Sequence, residues 1–398
     1  MKWSPQQETA LARVDTWLQS DSNPFFYLGG YAGTGKTTLA KHFASGLDNV
    51  VYAAYTGKAA LQLQKSGVDA QTVHSLIYKL VMPSVKAIAE LEQKLAATND
   101  PIEAEGYAIE LKKMKDPHFV INEESKLNNA DLLVLDECSM INKEMADDLL
   151  DFGVPILVLG DPGQLPPVSG EGFFTANSPD YFLEEIHRQA LDNPIIAASM
   201  HAREWGAIKA MDGKHVQIIH NREAMKDAML TADKVMVGKN KTRLGVNKAF
   251  RSFKGFSDPY PIEGDTLICL RNYRDKGLLN GLFAEVVKGE IHDVDNFKIQ
   301  TTIKTELGST LHDLPIFTGF FDDYSDPNAS KNAPFFLRKS AFEFDYGYAI
   351  TVHKSQGSQY PTAFLWDDGM FNWDMSMRKK WLYTAITRAS DTFIYARK

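Results

Sequence analysis

The sequence predicts an α/β protein made of two parallel-sheet units, each interrupted by an insertion. Three observations lead there. Apolar runs of strand length alternate with helical segments at Phe25 to Leu28, Val50 to Ala54, Leu132 to Leu135 and Ile156 to Leu159, the pattern of strands buried on both faces by crossover helices. The same grammar returns at Val235 to Val237, Tyr348 to Val352, Ala363 to Trp366 and Phe393 to Tyr395. A chain of 398 residues also exceeds what one compact core usually organises.

The first run leads directly into Gly30-Tyr31-Ala32-Gly33-Thr34-Gly35-Lys36-Thr37, a complete G-x-x-x-x-G-K-T loop, and a helix opens at Lys36-Thr37-Thr38-Leu39. Strand, glycine turn and helix are the context in which this motif cradles phosphates. The backbone N–H groups of Gly33, Thr34 and Gly35 close around the anion, Lys36 reaches the outer phosphates, and the Thr37 hydroxyl joins the shell of a magnesium ion. A nucleoside triphosphate is the expected ligand. The third run ends in Asp136-Glu137. Two carboxylates at a strand end divide the labour, Asp136 holding magnesium and Glu137 activating the attacking water, which is the arrangement of a hydrolase.

Between the strands the pattern breaks twice. Residues Val85 to Lys115 are helical and charged, followed by the apolar run His118-Phe119-Val120-Ile121, one arm of a hairpin. From Gly264 to Phe344 short strands take over at Thr266 to Leu270, Phe283 to Val287 and Ile299 to Ile303, with turn signals such as Asn280-Gly281, the composition of a small β-barrel. Asp322 to Asn328 reads as a mobile loop. The expected division is 1–82 with 126–186 as the first unit, 83–125 as its insert, 187–263 with 345–398 as the second unit, and 264–344 as its insert.

The bulk composition narrows the class. Apolar content of 44% and charged content of 24% are ordinary for a globular protein. No stretch of 18 apolar residues and no apolar N-terminal core occur, so neither a membrane span nor export is expected, and the cytoplasm is the expected compartment. Cys138 and Cys269 are the two cysteines, too few for a disulfide framework or a zinc site. Net charge of −8 argues against coating nucleic acid by a bulk positive field, but it permits a narrow track of placed contacts.

Further blocks carry a resemblance. Ala54 to Ala60, Thr72-Val73-His74-Ser75-Leu76, Gly160-Asp161-Pro162-Gly163-Gln164-Leu165-Pro166-Pro167-Val168, His187-Arg188-Gln189, Thr351 to Gly357 and Leu382 to Ala389 follow the motif order of superfamily 1 helicases. The chain resembles the RecD-like branch, and within it the short Dda-type helicases of bacteriophages. The resemblance implies two RecA-like domains with ATP and Mg2+ in the cleft between them, and an SH3-like barrel as the second insert. It implies that Gln7 reads the adenine edge, that Thr38 and Gly357 join the nucleotide contacts, and that Gln164 senses the γ-phosphate. Arg188 and Arg388 then reach across the closed cleft to stabilise charge on the transferring phosphoryl group. Thr56, Lys58, His74, Thr351, His353 and Lys354 become contacts to single-stranded DNA, and Phe119 the strand-separating aromatic. Phe25 and Tyr27 are core, while Tyr360 is open to either reading.

The activity so implied is ATP-dependent unwinding with 5′ to 3′ movement by a monomer on single-stranded, forked or 5′-tailed DNA. Replication or single-strand-binding proteins are the expected partners. Two alternatives stay open: a translocase that mainly displaces bound proteins, and a nucleotide-gated DNA-binding or loading module, against which Glu137 and the two arginines stand.

Overall fold

The computed structural model describes the chain except residues 1–2, 21, 82–84, 99, 116–117, 167–171, 186–192, 274–275, 294–296, 322–339, 370–373 and 398. Strands β1 (Phe25–Gly30), β2 (Val50–Ala54), β3 (Ala70–Thr72), β6 (Leu132–Asp136), β7 (Ile156–Gly160) and β8 (Tyr181–Leu183) form an all-parallel sheet in the order β3-β2-β6-β7-β1-β8. The pleat explains why its strands read as continuous apolar runs. Leu132 and Val134 face helices α1 (Pro5–Leu18), α2 (Lys36–Ala44) and α3 (Gly57–Lys65), whereas Leu133 and Leu135 face α4 (Val73–Ile77) and α7 (Lys143–Leu150).

The second sheet repeats this plan. Strands β9 (Val216–Ile219), β10 (Lys234–Val237), β16 (Ala349–Thr351), β17 (Tyr360–Asp367) and β18 (Ala389–Arg397) are parallel in the order β16-β10-β17-β18-β9. One face packs on α8 (Pro194–Trp205) and α11 (Met375–Ile386), with Trp381 fully buried between. The other face packs on α9 (Arg222–Thr231) and α10 (Asn240–Phe253).

The first insertion is a ribbon in which β4 (Tyr78–Val81) pairs antiparallel with β5 (His118–Ile121), and the chain between them forms α5 (Val85–Ala97) and α6 (Pro101–Lys115). The helical stretch and the apolar arm lie where the sequence placed them. The second arm does not: the excursion starts at Tyr78, before the expected boundary at 83, because β4 follows α4 without a break and its apolar residues read as that helix continued. Phe119 is 54% exposed and pairs with Leu80 within the ribbon. That pair lies next to Val81–His118, the last pair described in the ribbon.

The second insertion is an antiparallel sheet of β11 (Thr266–Cys269), β12 (Phe283–Asp293), β13 (Lys298–Thr305), β14 (Thr310–Phe317) and β15 (Phe344–Tyr346), ordered β14-β13-β12-β11-β15. In β13, Ile299, Thr301, Ile303 and Thr305 are buried at every second position, one face in and one out. The sheet closes on itself: Phe317 donates its N–H to the Phe342 carbonyl at 2.9 Å and Phe342 donates to the Pro315 carbonyl at 2.7 Å. Its core is continuous with the α9 and α10 face of the second unit. The loop expected at Asp322 to Asn328 lies outside the described residues.

Tyr27 and Tyr360 are 1% and 6% exposed and belong to the core, and Phe25 packs edge-on against Phe174 at 5.2 Å. Both thiols are fully buried, and burial raises them, Cys269 to about 12. Among the described residues no helix is long and apolar enough to cross a membrane.

Lys234, at the start of β10, is buried where the units meet. Its ammonium donates to the Gly347 carbonyl at 2.7 Å and sits 3.4 Å from the Phe283 ring centroid. Burial, with the Lys58 charge nearby only partly offset by Glu306 and Asp233, lowers it to about 7. The unfolded chain therefore binds more protons than the folded one above that pH, and stability should rise as pH increases from about 7 toward 9. Lys234→Met should flatten the rise, as urea melts of both proteins across that range would reveal.

Candidate nucleotide site and nucleic-acid track

Because β1, β7 and β6 are adjacent and parallel, their carboxyl ends at Gly30, Gly160 and Asp136 open on one edge of the sheet, the edge at which such sheets bind ligands. Gly33 and Gly35 both stand at φ 81°, a backbone that favours glycine and turns the loop back toward α2. The Lys36 ammonium donates to the Gly30 and Tyr31 carbonyls at 2.6 and 3.0 Å. The Thr37 hydroxyl donates to Asp136 Oδ2 at 3.0 Å, and Asp136 Oδ1 accepts the Glu137 N–H at 2.8 Å. Glu137 is held at φ 52°, an uncommon conformation for a residue with a Cβ.

A cleft of about 400 Å³ collects most of the predicted residues: Gly33, Lys36, Thr37, Thr38, Asp136, Glu137 and Gln164 from the first unit, Gly357 and Arg388 from the second. Withdrawal from water raises both carboxyls. At Asp136 the Glu137 N–H, Lys36 and Thr37 oppose the rise; at Glu137 Arg388 opposes it, while Asp136 and Asp161 add to it. Arg388 is 5% exposed, and its guanidinium donates to the Thr384 and Ser358 carbonyls and to the Thr387 hydroxyl. Arg188 lies outside the described residues.

The residues fit a magnesium-bound triphosphate. Thr37 and Asp136 offer hard oxygen donors side by side, one of them a carboxylate, the set that magnesium shares with phosphate oxygens. Gln164 is 8% exposed, and its amide oxygen is buried with no hydrogen-bond partner among the described residues, an acceptor left for a water or a ligand. Gly357, at φ 71°, is required by closeness: a Cβ there would lie 2.7 Å from the Thr56 hydroxyl and 2.9 Å from the Ala59 Cβ.

Gln7 is 3% exposed, its amide oxygen accepts the Ser4 N–H at 3.1 Å, and its amide nitrogen donates to the Thr34 carbonyl at 3.1 Å. These bonds brace the phosphate loop against the start of α1. Thr34, 1% exposed with its hydroxyl on the Tyr31 carbonyl, contributes backbone rather than side chain.

Of the residues expected on DNA, His74 and Phe119 stand together, their rings edge-to-face at 4.3 Å. Lys354 is exposed and its ammonium donates to Asn280 Oδ1 at 2.5 Å. The Thr351 hydroxyl accepts the Lys354 N–H, and His353 is partly buried beside it. The Thr56 hydroxyl caps α3 through the Ala59 N–H. The Lys58 ammonium is paired with Glu306 of the second insert at 3.3 Å and covers the Phe283 and Tyr360 rings at 4.5 and 5.0 Å.

A family model described as an AAA domain matches residues 2–224, more than half of the chain. The chain belongs to that family. A second model, described as a UvrD-like helicase C-terminal domain, matches residues 346–394. The ATP-dependent RecD2 DNA helicase of Deinococcus radiodurans is 26% identical over 93% of this chain and 46% of its own length. The ATP-dependent DNA helicase dda of Enterobacteria phage T4 is 24% identical over 92% of this chain and 93% of its own. The chain spans about half the length of two curated relatives, the Deinococcus protein and an uncharacterized mimivirus protein. Among solved structures, a Pif1 helicase from Bacteroides in complex with ADP-AlF3 and ssDNA aligns with a TM-score of 0.55 at 18% identity, covering 99% of this chain and 92% of that one. At that identity the likeness establishes the shared fold.

Sequence reasoning gave no role to several residues of this AAA-domain site. The Thr384 hydroxyl accepts the Leu165 N–H at 2.9 Å and the Gln356 amide donates to the Leu165 carbonyl at 2.9 Å. Both clamp the turn that carries Gln164 from the opposite unit. They stand inside the matched blocks, which was the available signal; their partners become visible only once the two sheets face each other.

Proposed function

We propose that this chain is an ATP-dependent DNA helicase that moves 5′ to 3′ on single-stranded DNA and opens forked or 5′-tailed duplex. The observation that carries the reading is the shared cleft: the phosphate loop and the Asp136-Glu137 pair come from one sheet and Arg388 from the other, so hydrolysis and the relative position of the units are coupled. A passive clamp does not need that arrangement. Magnesium held by Thr37 and Asp136 would polarise the phosphate chain. Lys36 neutralises the outer phosphates, Glu137 takes the proton of the attacking water, Gln164 senses the γ-phosphate, and Arg388, with Arg188, balances developing charge.

The same reading assigns the two sheets to RecA-like domains, 1–82 with 126–186 and 187–263 with 345–398, and the closed five-stranded sheet within 264–344 to an SH3-like barrel. Thr56, Lys58, His74, Phe119, Thr351, His353 and Lys354 line the DNA track. The names of the phage relative and of the Pif1 complexes, which include one at forked dsDNA, support the substrate class. The protein works as a monomer in the cytoplasm alongside replication or single-strand-binding proteins.

The deciding experiment measures ATP hydrolysis with and without oligo(dT), and unwinding of a 5′-tailed duplex, for wild type and Lys36→Ala. DNA should stimulate the wild type, and Lys36→Ala should lose more than about tenfold in turnover, roughly 1.4 kcal/mol of barrier. Hydrolysis indifferent to DNA, or surviving in the variant, rejects the reading.

Phe119 gives a test of strand separation. Because it is exposed, Phe119→Ala should melt close to wild type, avoiding the roughly 3 to 5 kcal/mol cost of emptying a buried phenylalanine site. The loss of a stacking platform worth about 1 to 3 kcal/mol per base should lower the base pairs opened per ATP severalfold. An unchanged ratio would move the separating element elsewhere.

A further inference from the structure

One hydroxyl joins three parts of the cleft. Tyr383, on α11 of the second unit, is 1% exposed. Its hydroxyl accepts the N–H of Ala32 in the phosphate loop at 2.8 Å and donates to Asp161 Oδ2 at 2.6 Å. Asp161 Oδ1 in turn accepts the Gly163 N–H at 2.9 Å, and the Asp161 carbonyl accepts the Gln164 N–H at 3.0 Å. The phosphate loop and the turn that carries Gln164 are thus linked through a side chain that belongs to neither.

The surroundings are built for that link. A Cβ at position 163 would lie 3.1 Å from the Tyr383 ring, so glycine lets the ring approach the turn. Tyr31, the neighbour of Ala32, is held by the same unit: the Arg203 guanidinium lies 3.4 Å over its ring centroid, and Tyr383 meets it edge-on at 6.3 Å. Burial, with the Asp161 charge, raises the phenol far above its ordinary value, so it remains both donor and acceptor.

We infer that Tyr383 is a positioning residue that holds the phosphate loop and the Gln164 turn in register only while the two units are docked. Hydrogen bonds of this length do not survive a separation of about 1 Å, and a parted cleft leaves Asp161 and the Ala32 N–H without this partner. The relay is therefore made or broken as the cleft closes or opens. N–H to O–H to carboxylate chains also polarise one another, so the pair responds as a unit. The inference rests on the reading that the cleft hydrolyses ATP.

The test uses Tyr383→Phe in the full chain, which keeps the ring and its packing. Amide exchange at Ala32 in the nucleotide-free protein should accelerate about tenfold or more, the consequence of one lost hydrogen bond, while amides of β7 keep their rates. With ATP and oligo(dT), kcat should fall about tenfold while KM for ATP moves less than about threefold, the split of a residue that orients rather than binds. Wild-type exchange at Ala32 as fast as in an open loop overturns the inference with no variant needed, so a variant that fails to fold does not shield it. Unchanged Ala32 exchange in the variant, or a kcat within about twofold of wild type, also overturns it. If wild type hydrolyses no ATP, the functional reading fails, and the exchange comparison still decides whether the hydroxyl holds the loop.

Discussion

Glu137→Gln should give a folded protein that binds ATP and hydrolyses it slower by a factor on the order of 10³, within the span that general bases contribute. The amide matches the carboxylate in size and can keep the φ 52° turn at the end of β6, but it cannot accept the proton of a water. Withdrawal from water raises the Glu137 carboxyl, with Asp136 and Asp161 adding to the rise. Glu137→Gln relieves that crowding, so thermal stability should hold or increase. Activity of the wild type should also fall on the acid side as the base protonates, and Glu137→Gln should lose that limb. Nucleotide binding and single-turnover hydrolysis on one preparation decide. If affinity collapses while turnover at saturation holds, Glu137 is a binding group and the catalytic role belongs elsewhere.

What the sequence made legible was local. A phosphate loop is one strand, one turn and one helix start, and Asp136-Glu137 is the end of one strand, so both are written in contiguous residues. The long central strands are legible for the same reason: Leu132 to Leu135 must be buried on both faces wherever the sheet lies. Edge strands such as β3, β8 and β9 have three or four residues, too few for a period to show, and β14 carries His312 and Asp313 outward, which blurs its alternation. Side-chain partners are illegible for another reason. Lys58 and Gln7 are polar residues, and only the assembled fold reveals Glu306 beside one and the Thr34 carbonyl beside the other. Lys234 reads as a surface lysine at a strand start until the Phe283 ring and the Gly347 carbonyl close over it. Spacing can nominate such residues, but the partners come from elements as far as 248 positions away, as in the Lys58–Glu306 pair.

Arg388→Ala should lower kcat at saturating ATP by a factor on the order of 10³, the scale of a lost arginine that balances phosphoryl charge, and it should also move the pH profile. Arg388 is the larger of the two positive charges that offset the rise at Glu137, Lys36 being the other. Removing it leaves burial, Asp136 and Asp161 opposed by the weaker Lys36 charge alone, so the base protonates at higher pH and the acid limb of kcat shifts upward. Arg388→Lys should return the limb toward wild type, since the ammonium restores the positive charge, yet recover little of the rate, because it lacks the planar fork that meets two phosphate oxygens at once. A structural role predicts otherwise. The guanidinium also serves the Thr384 and Ser358 carbonyls and the Thr387 hydroxyl, and leaving buried acceptors unpaired costs about 1 to 3 kcal/mol each. If that were all, both variants would melt earlier and lose activity in proportion to the folded fraction, with the limb unmoved. In a Glu137→Gln background the Arg388→Ala substitution has no carboxylate left to influence, so it should shift no limb there. A limb that moves equally in both backgrounds would show that the titrating base is a different group.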